Sequence, residues 1–500
     1  MTGKAKSPQD ASQGSSIVWF RQDLRLADNP ALSRALDEGD SVYCVYIHAP
    51  LEEGKWAPGG ATKVWLNQSL KALQQDLEDK GGRLHIFDVG ADSEFATSQA
   101  VLAAIVKQTQ ARAIFWNRRY EPAIIERDKE IKSHFKEQGI NVETFNSALL
   151  KEPWQVKTKE GKPYQVFTPF WRACLNEMHP DPPLSAPKKL PDNKLHKLQG
   201  EVALKKLALL PQIQWDKGIK EAWVPGEQGA LKQLKTFLKD GLANYASDRN
   251  RPDIEGVSRL SPHLHFGEIS PLTVWYQTKE YVQAHPKLVE AGQCYLREIG
   301  WREFSHHLLY HFPDTTTEPL RKEFSHFPWQ RNDTHLKAWQ KGLTGYPIVD
   351  AGMRELWHTG IMHNRVRMIV ASFLVKHLLL PWQEGAAWFW DTLVDADLAQ
   401  NTLGWQWTAG CGADAAPYFR VFNPILQGAK FDPDGDYVRR WVPELAGLDK
   451  KYIHTPWEAP PLTLTASGIT LGEDYPRPIV DHGQARALAL DAFQQLKAYK

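Results

Sequence analysis

Short apolar runs alternate with helix-period stretches over the first 146 residues. IVWF (17–20), SVYCVYIH (41–48), RLHIFDVG (83–90), ARAIFWN (111–117) and INVETFN (140–146) are rich in β-branched and aromatic residues and too short for helices. Between them, ATKVWLNQSLKALQQDLEDKGG (61–82) repeats apolar residues at helical spacing and stops on a glycine pair. Further helices are predicted through 94–109 and 122–138, and Asp28 and Pro30 stand where the cap and first turn of a helix over 28–39 belong. Five strands separated by helices predict a doubly wound parallel sheet, whose carboxyl edge offers a ligand crevice.

The pattern changes at 147. Residues 147–224 include PDPPLSAPKKLPDNKLHKLQG (180–200), a Pro- and Lys-rich stretch that reads as a surface linker with a helical turn or two. After 225 the period is helical almost throughout, as in GALKQLKTFLKDGLANYA (229–246), AGQCYLREIGWREFSHHLLYHF (291–312) and MHNRVRMIVASFLVKHLLL (362–380), with no repeat of fixed length. The expected organisation is a polar tail (1–15), an α/β domain (16–146), a linker (147–224) and an irregular helical domain (225–490).

Composition narrows this picture. Five hundred residues exceed one ordinary core. No apolar run reaches membrane length and the N-terminus lacks a signal-type apolar stretch, so a cytosolic protein is expected. Four scattered cysteines without CxxC spacing argue against a zinc site and a disulfide framework. A net charge of +1 excludes a wholesale polycation but leaves room for a local basic patch. Neither GxGxxG nor a Walker lysine loop occurs. The anomaly is tryptophan: of twenty, fourteen follow residue 214, where stacking on planar ligands competes with core bulk as the reason.

Four places carry candidate chemistry. Ser258, Arg259 and Ser261 precede a helical stretch, as a phosphate site or an ordinary capped turn would. Glu298 lies three residues before Trp301 on one helix face, either a base-reading pair or amphipathic packing with a surface acid. Arg367 falls on a helix face that must otherwise be buried and needs an anion, Asp395 or a phosphate. In DADLAQNTLGWQW (395–407), Asp395, Asp397 and Asn401 stand beside Trp405 and Trp407, a combination suited to a flat, polar ligand.

Taken in order, FRQDLRLADNPAL (20–32), EGVSRLSPHLHFGEIS (255–270), LREIGWREF (296–304), TGYPIVDAGMREL (344–356), MHNRVRM (362–368), PWQEGAAWFWDTLVDADLAQN (381–401) and GWQWTAGCGADAAPYFRVFNP (404–424) resemble the photolyase/cryptochrome flavoproteins over residues 17–445. The closer likeness is to cyclobutane pyrimidine dimer photolyases of class I and bacterial class III. The resemblance implies an α/β antenna domain, a linker and a helical domain holding flavin adenine dinucleotide (FAD). It places Tyr245, Ser258, Arg259, Leu260 and Ser261 at the flavin's phosphates and neighbouring groups, with Val257 where the family more often has Thr. Arg367 and Asp395 match the pair beside the isoalloxazine, Asp397 an acid near the ribityl and ring edge, and Asn401 the residue facing flavin N5. Repair enzymes carry an amide at that last position and plant cryptochromes an acid; an amide stabilises an anionic reduced flavin that a carboxylate would repel or protonate.

By the same resemblance, Glu298, Trp301, Asn364, Met368 and Trp407 form the pocket for a flipped pyrimidine dimer, and Arg249, Arg302, Arg365 and Arg420 form a basic rim gripping phosphates of UV-damaged DNA, single- or double-stranded. Trp405, Trp382 and Trp329 match the photoreduction triad, while Trp388 and Trp390 read as core packing, with a second electron branch as the alternative. The implied reaction is light-driven electron transfer from reduced FAD to the dimer by a monomeric enzyme, with no metal. A blue-light photoreceptor and a six-four photolyase are the rivals; Asn364 and Met368 stand where the latter's histidine chemistry is expected. The antenna is expected to be methenyltetrahydrofolate, with 8-hydroxy-5-deazaflavin as alternative, contacted by Asn117 and Glu121.

Overall fold

The computed structural model describes residues 14–496 apart from 92, 179, 194 and 419; the expected polar tail lies outside these residues up to position 13. The N-terminal domain runs β1 (Gly14–Phe20), α1 (Pro30–Glu38), β2 (Gly39–His48), α2 (Gly60–Glu78), β3 (Leu84–Asp88), α3 (Ser98–Thr109), β4 (Ala111–Asn117), α4 (Pro122–Glu137) and β5 (Asn141–Phe145). All neighbours are parallel, in the order β3-β2-β1-β4-β5. Successive residues of central β1 point to opposite faces: Ile17 and Trp19 enter one apolar core, Val18 and Phe20 the other. Helices cover both faces, as the continuous apolar strands require.

Two local expectations differ. Asp28 does not cap α1; Asn29 does, its Oδ1 accepting the Leu32 N–H at 3.1 Å. Asp28 instead reaches outward, accepting from the Leu184 N–H and the Ser270 hydroxyl. Helix α3 starts at Ser98, later than expected, because the Thr97 hydroxyl accepts the Ala100 N–H at 3.1 Å and ends the preceding loop there.

The linker holds α5 (Phe167–Glu177) and α6 (Lys217–Ala222). The three turns of α5 are more helix than its composition announced, and Phe167, Phe170 and Trp171 pack it against the helical domain. That domain comprises α7 (Glu227–Thr236), α8 (Tyr245–Asp248), α9 (Ser261–His265), α10 (Pro271–Ala284), α11 (Val289–His311), α12 (Asp333–Lys341), α13 (Pro347–Thr359), α14 (Asn364–Ser372), α15 (Trp382–Thr392), α16 (Leu398–Ala409), α17 (Pro424–Phe431), α18 (Asp436–Trp441), α19 (Pro461–Ala466) and α20 (His482–Leu496). A π-helical turn, Phe373–His377, extends α14.

The segment after β1 fastens the domains. Leu24 N–H bonds the Phe266 carbonyl at 3.1 Å, the Arg25 guanidinium the Gly267 carbonyl at 2.8 Å, and Glu227 accepts the Leu26 and Ala27 N–H groups. Gly267 has φ +63°, and a Cβ there would meet the Gln22 carbonyl at 2.1 Å, so the approach demands glycine. Beside it the fully buried Glu268 accepts Trp65 Nε1–H at 2.9 Å and meets His263 Nδ1 at 2.5 Å. Trp65→Phe removes that donor from a buried carboxylate and is expected to cost roughly 1–3 kcal/mol in urea denaturation.

Candidate functional site

Helices α8, α11, α14 and α16 converge on one site. Glu298 and Trp301 sit one turn apart on α11, so both side chains face the same way. Trp301 is half-buried, and Phe167 of α5 backs one face of its indole with centroids 3.8 Å apart and planes 8° apart. Glu298 pairs with Arg249 at the end of α8, which joins an expected pocket residue to an expected rim residue. Asn364, exposed, opens α14, with Met368 one turn on; His363 Nδ1 accepts the Arg365 N–H and caps that helix. Arg365 donates to Asn250 Oδ1 at 2.6 Å and lies over the Phe431 ring at 4.5 Å. Trp407, on α16, is half-buried, and its carbonyl accepts the Ala416 N–H at 3.2 Å.

Behind this wall lies a charged layer. Arg367 Nη2 donates to both carboxylate oxygens of Asp395, at 3.0 and 2.9 Å, and its Nε donates to the Met362 carbonyl. Of the two anions the sequence allowed, the carboxylate is the partner. Asp397 caps α16 through the Gln400 N–H, and His306 Nε2 lies 3.4 Å and His265 Nδ1 3.9 Å from its carboxylate. Burial alone would push Asp397 up, but His306 and the hydrogen bonds to it hold its pKa well below the usual carboxylate range. Burial alone would push His306 down, but Asp397 outweighs it and the imidazole is held above its ordinary value.

Asn401 follows one turn later and donates Nδ2–H to the Ala386 carbonyl at 3.0 Å, which fixes the amide's orientation. His265 is buried with neither ring nitrogen hydrogen-bonded within the protein. A flat ligand edge bearing N–H and C=O groups fits the set His265, Asp397 and Asn401, and an isoalloxazine is such a ligand. Tyr245 and Leu260 are buried in an apolar cluster nearby, and Ser258 and Ser261 are partly exposed. Arg259 has φ +53°, and its guanidinium turns onto the Trp223 ring at 4.2 Å and the Ala222 carbonyl, so its side chain serves the linker.

Trp405 and Trp382 are buried in one apolar cluster, and Trp329 packs against it. A Cβ on Gly385 would meet the Trp405 ring at 2.0 Å. Gly385 lies one turn after Trp382, so this contact sets Trp405 against the face of α15 that carries Trp382. Trp339 and Phe389 flank Trp405 edge-on. Trp390 packs edge-on against Trp56 and donates to the Ala57 carbonyl, fastening the domains. Trp388 is parallel to the half-exposed Trp357, which is in turn stacked with Trp215.

Besides Arg259, two expected site residues are engaged elsewhere. Arg302 is 5% exposed, donates to the Ala148 carbonyl at 2.5 Å and cannot reach a DNA phosphate. It follows Trp301 directly, and one helical step of about 100° turns it into the linker. Asn117 is 3% exposed at the end of β4, its amide bonded to Asp23, Asn29 and the Ala31 N–H, leaving nothing for an antenna. Glu121 pairs with Arg119, which also holds Glu53. The sheet's carboxyl edge is thus closed by side chains: Arg21 and Arg127 lie over Trp19 at 4.9 and 4.8 Å, and a cavity of about 40 Å³ remains. Phe167, Asn250 and His265 were missed, because nothing in their own segments marks them as neighbours of Trp301, Arg365 and Asp397.

A nucleotide-type α/β domain fastened to a helical domain with a buried, polar, flat-ligand site defines a two-domain flavoprotein architecture. Residues 16–188 match the DNA photolyase family and residues 295–495 the FAD binding domain of DNA photolyase. The chain is 48% identical over 481 residues to a deoxyribodipyrimidine photo-lyase of Agrobacterium fabrum, covering 96% of this chain and 98% of that one. It is 41% identical to Cryptochrome-1 of Arabidopsis thaliana over 97% of this chain and 71% of that protein. A bacterial class III photolyase from Agrobacterium tumefaciens superposes with a TM-score of 0.92 at 47% identity, over 98% of this chain and all of that one. The chain belongs to the DNA photolyase family, and its helical part is an FAD-binding domain. Among the described residues no helix is long and apolar enough to cross a membrane.

The buried pair predicts a pH dependence. The His306 contribution is full below the ordinary histidine value of about 6.5 and is lost as pH rises through its raised pKa. That of Asp397 is present above about 3.9 and is lost as pH falls through its depressed pKa. His306→Gln is therefore expected to cost roughly 3–5 kcal/mol near about pH 5.5, and measurably less near about pH 9, in urea unfolding at each pH.

Proposed function

We infer that the chain is a deoxyribodipyrimidine photo-lyase that repairs cyclobutane pyrimidine dimers in DNA under light. The observation that carries this reading is the half-open indole of Trp301, backed by Phe167 and with Glu298 one turn away, on helices shared with the FAD-binding layer. Trp301 and Trp407 offer flat apolar walls to a flipped dimer, and Glu298 and Asn364 offer acceptors and donors to its base edges. A lesion that stacks badly costs less to extrude than an intact base, so selectivity needs no sequence readout. Arg249, Arg365 and Arg420 grip the phosphates around it. Bound reduced FAD supplies the light-excited electron for ring splitting. Around it, Arg367 neutralises Asp395, Asp397 and His306 hold a fixed charge pair, and Asn401 presents an amide, which neither repels an anion nor donates a carboxyl proton. Single- and double-stranded DNA are both substrates, and the enzyme acts as a monomer.

For the antenna, the reading best supported is methenyltetrahydrofolate bound away from the sheet edge. Trp357 lies with its ring centroid 6.0 Å from those of Trp215 and Trp388 and is 50% exposed, which offers a stacking surface to a flat chromophore away from the sheet edge. Trp357→Ala is expected to remove the folate's contribution to the near-ultraviolet absorbance of reconstituted protein, leaving the flavin spectrum and FAD content unchanged. Unchanged folate binding would refute this placement.

The repair assay uses an oligonucleotide with one thymine dimer, and chromatography counts restored thymines in blue light and darkness. Repair is expected in light only, and Trp301→Ala and Glu298→Ala are expected to weaken lesion binding about tenfold or more. Arg420→Ala should reduce the salt slope of DNA binding by about one, whereas Arg302→Ala should lower stability and leave that slope unchanged. No light-dependent repair by a protein that binds and photoreduces FAD would favour the photoreceptor.

A further inference from the structure

The loop between α16 and α17 carries the exposed Arg420. Its beginning is tied to the pocket: Ala416 N–H bonds the Trp407 carbonyl, and Asp414 accepts the N–H of Phe167, the residue behind Trp301. Its far side rests on Tyr418, buried among Phe324, Phe327 and Phe493. Arg420 itself is exposed, and its N–H closes a turn onto the Pro417 carbonyl at 2.9 Å.

Under this turn lies Lys376, in the π-helical extension of α14. It is 1% exposed; its Nζ donates to the Arg420 carbonyl at 3.2 Å and lies 5.1 Å from the Tyr418 ring centroid. No carboxylate among the described residues pairs with it, and burial, with the nearby Arg420 charge, pushes its pKa down to about 8. A buried ammonium held by one neutral carbonyl and an aromatic face costs stability that an apolar side chain of equal length would not. The core has no need of this charge, yet it sits under the one turn that aims Arg420.

We propose that Lys376 is a positioning residue for DNA binding: it holds the Arg420 carbonyl and the Tyr418 ring so that the Arg420 guanidinium projects to the phosphodiester backbone beside the lesion. The proposal rests on reading Arg420 as a phosphate contact. It makes α14 responsible for both sides of the grip, through Arg365 at its start and Lys376 in its extension.

The test measures the affinity of FAD-bound, full-length protein for a labelled single-stranded oligonucleotide containing one thymine dimer, together with the thermal midpoint. Lys376→Met is expected to weaken binding about tenfold, with FAD content and photoreduction unchanged and the midpoint equal or raised. Lys376→Gln, which keeps an N–H donor without the charge, should recover part of the affinity. In a double-mutant cycle, Lys376→Met should add little to Arg420→Ala, because both remove one contact. Wild-type binding by Lys376→Met, while Arg420→Ala is weak, overturns the proposal and leaves the phosphate reading intact. A lowered midpoint or failure to fold in Lys376→Met, or losses that simply add, would make Lys376 structural and also overturn it. Wild-type binding by Arg420→Ala removes the phosphate reading and the proposal with it.

Discussion

The ion pair between Arg367 and Asp395 is the constraint on which the site depends. Arg367 belongs to α14, and Asp395 precedes α16 in a turn anchored by the Val394 N–H to the Gly360 carbonyl. The helix bearing Asn364, Arg365 and Met368 is thereby locked to the one bearing Asn401, Trp405 and Trp407. The two helices form one charge-locked unit. Removing Arg367 would leave the buried Asp395 carboxylate without its cation, whereas the part-exposed Arg367 keeps contact with solvent if Asp395 is removed.

The arginines divide into two kinds that composition cannot distinguish. Arg21, Arg25, Arg119 and Arg302 are buried or nearly so: Arg21 and Arg119 hold carboxylates and a carbonyl within the α/β domain, Arg25 reaches the Gly267 carbonyl of the helical domain, and Arg302 the Ala148 carbonyl of the linker. Arg249, Arg365 and Arg420 keep part of their surface open to solvent. A net charge of +1 therefore says nothing of where the accessible cations gather. The same division explains the FRQDLRLADN segment. Arg25 binds the Gly267 carbonyl and Asp28 accepts from the Ser270 hydroxyl of the helical domain, whereas Arg21 and Asp23 bond within the α/β domain, so the segment serves both its own fold and domain docking.

The tryptophans divide similarly. Trp65 and Trp390 donate hydrogen bonds across the domain junction, Trp339 and Trp405 fill the helical core, and Trp301 and Trp407 remain half open. Indole bulk and indole stacking are one chemical property used in three environments. A tryptophan-rich stretch alone does not reveal which use applies.

The strand and helix periods determined the doubly wound sheet and the helical domain, because apolar period is a local quantity that burial on both faces of a sheet enforces. Spacing along single helices likewise made Glu298 with Trp301, and Asn401 with Trp405, legible as groups, since i to i+3 and i to i+4 neighbours share a face wherever the helix lies. Contacts between segments were not legible. That Asp28 leaves the cap of α1 to Asn29 and bonds Leu184 and Ser270, that Arg302 turns into the linker, that Asn117 is consumed by Asp23 and Asn29, and that Phe167 stacks behind Trp301 all depend on partners from other segments, 88 to 242 residues away. Only tertiary structure decided these, because a polar side chain bonds the nearest unsatisfied group in space, and the chain's path alone sets which group that is.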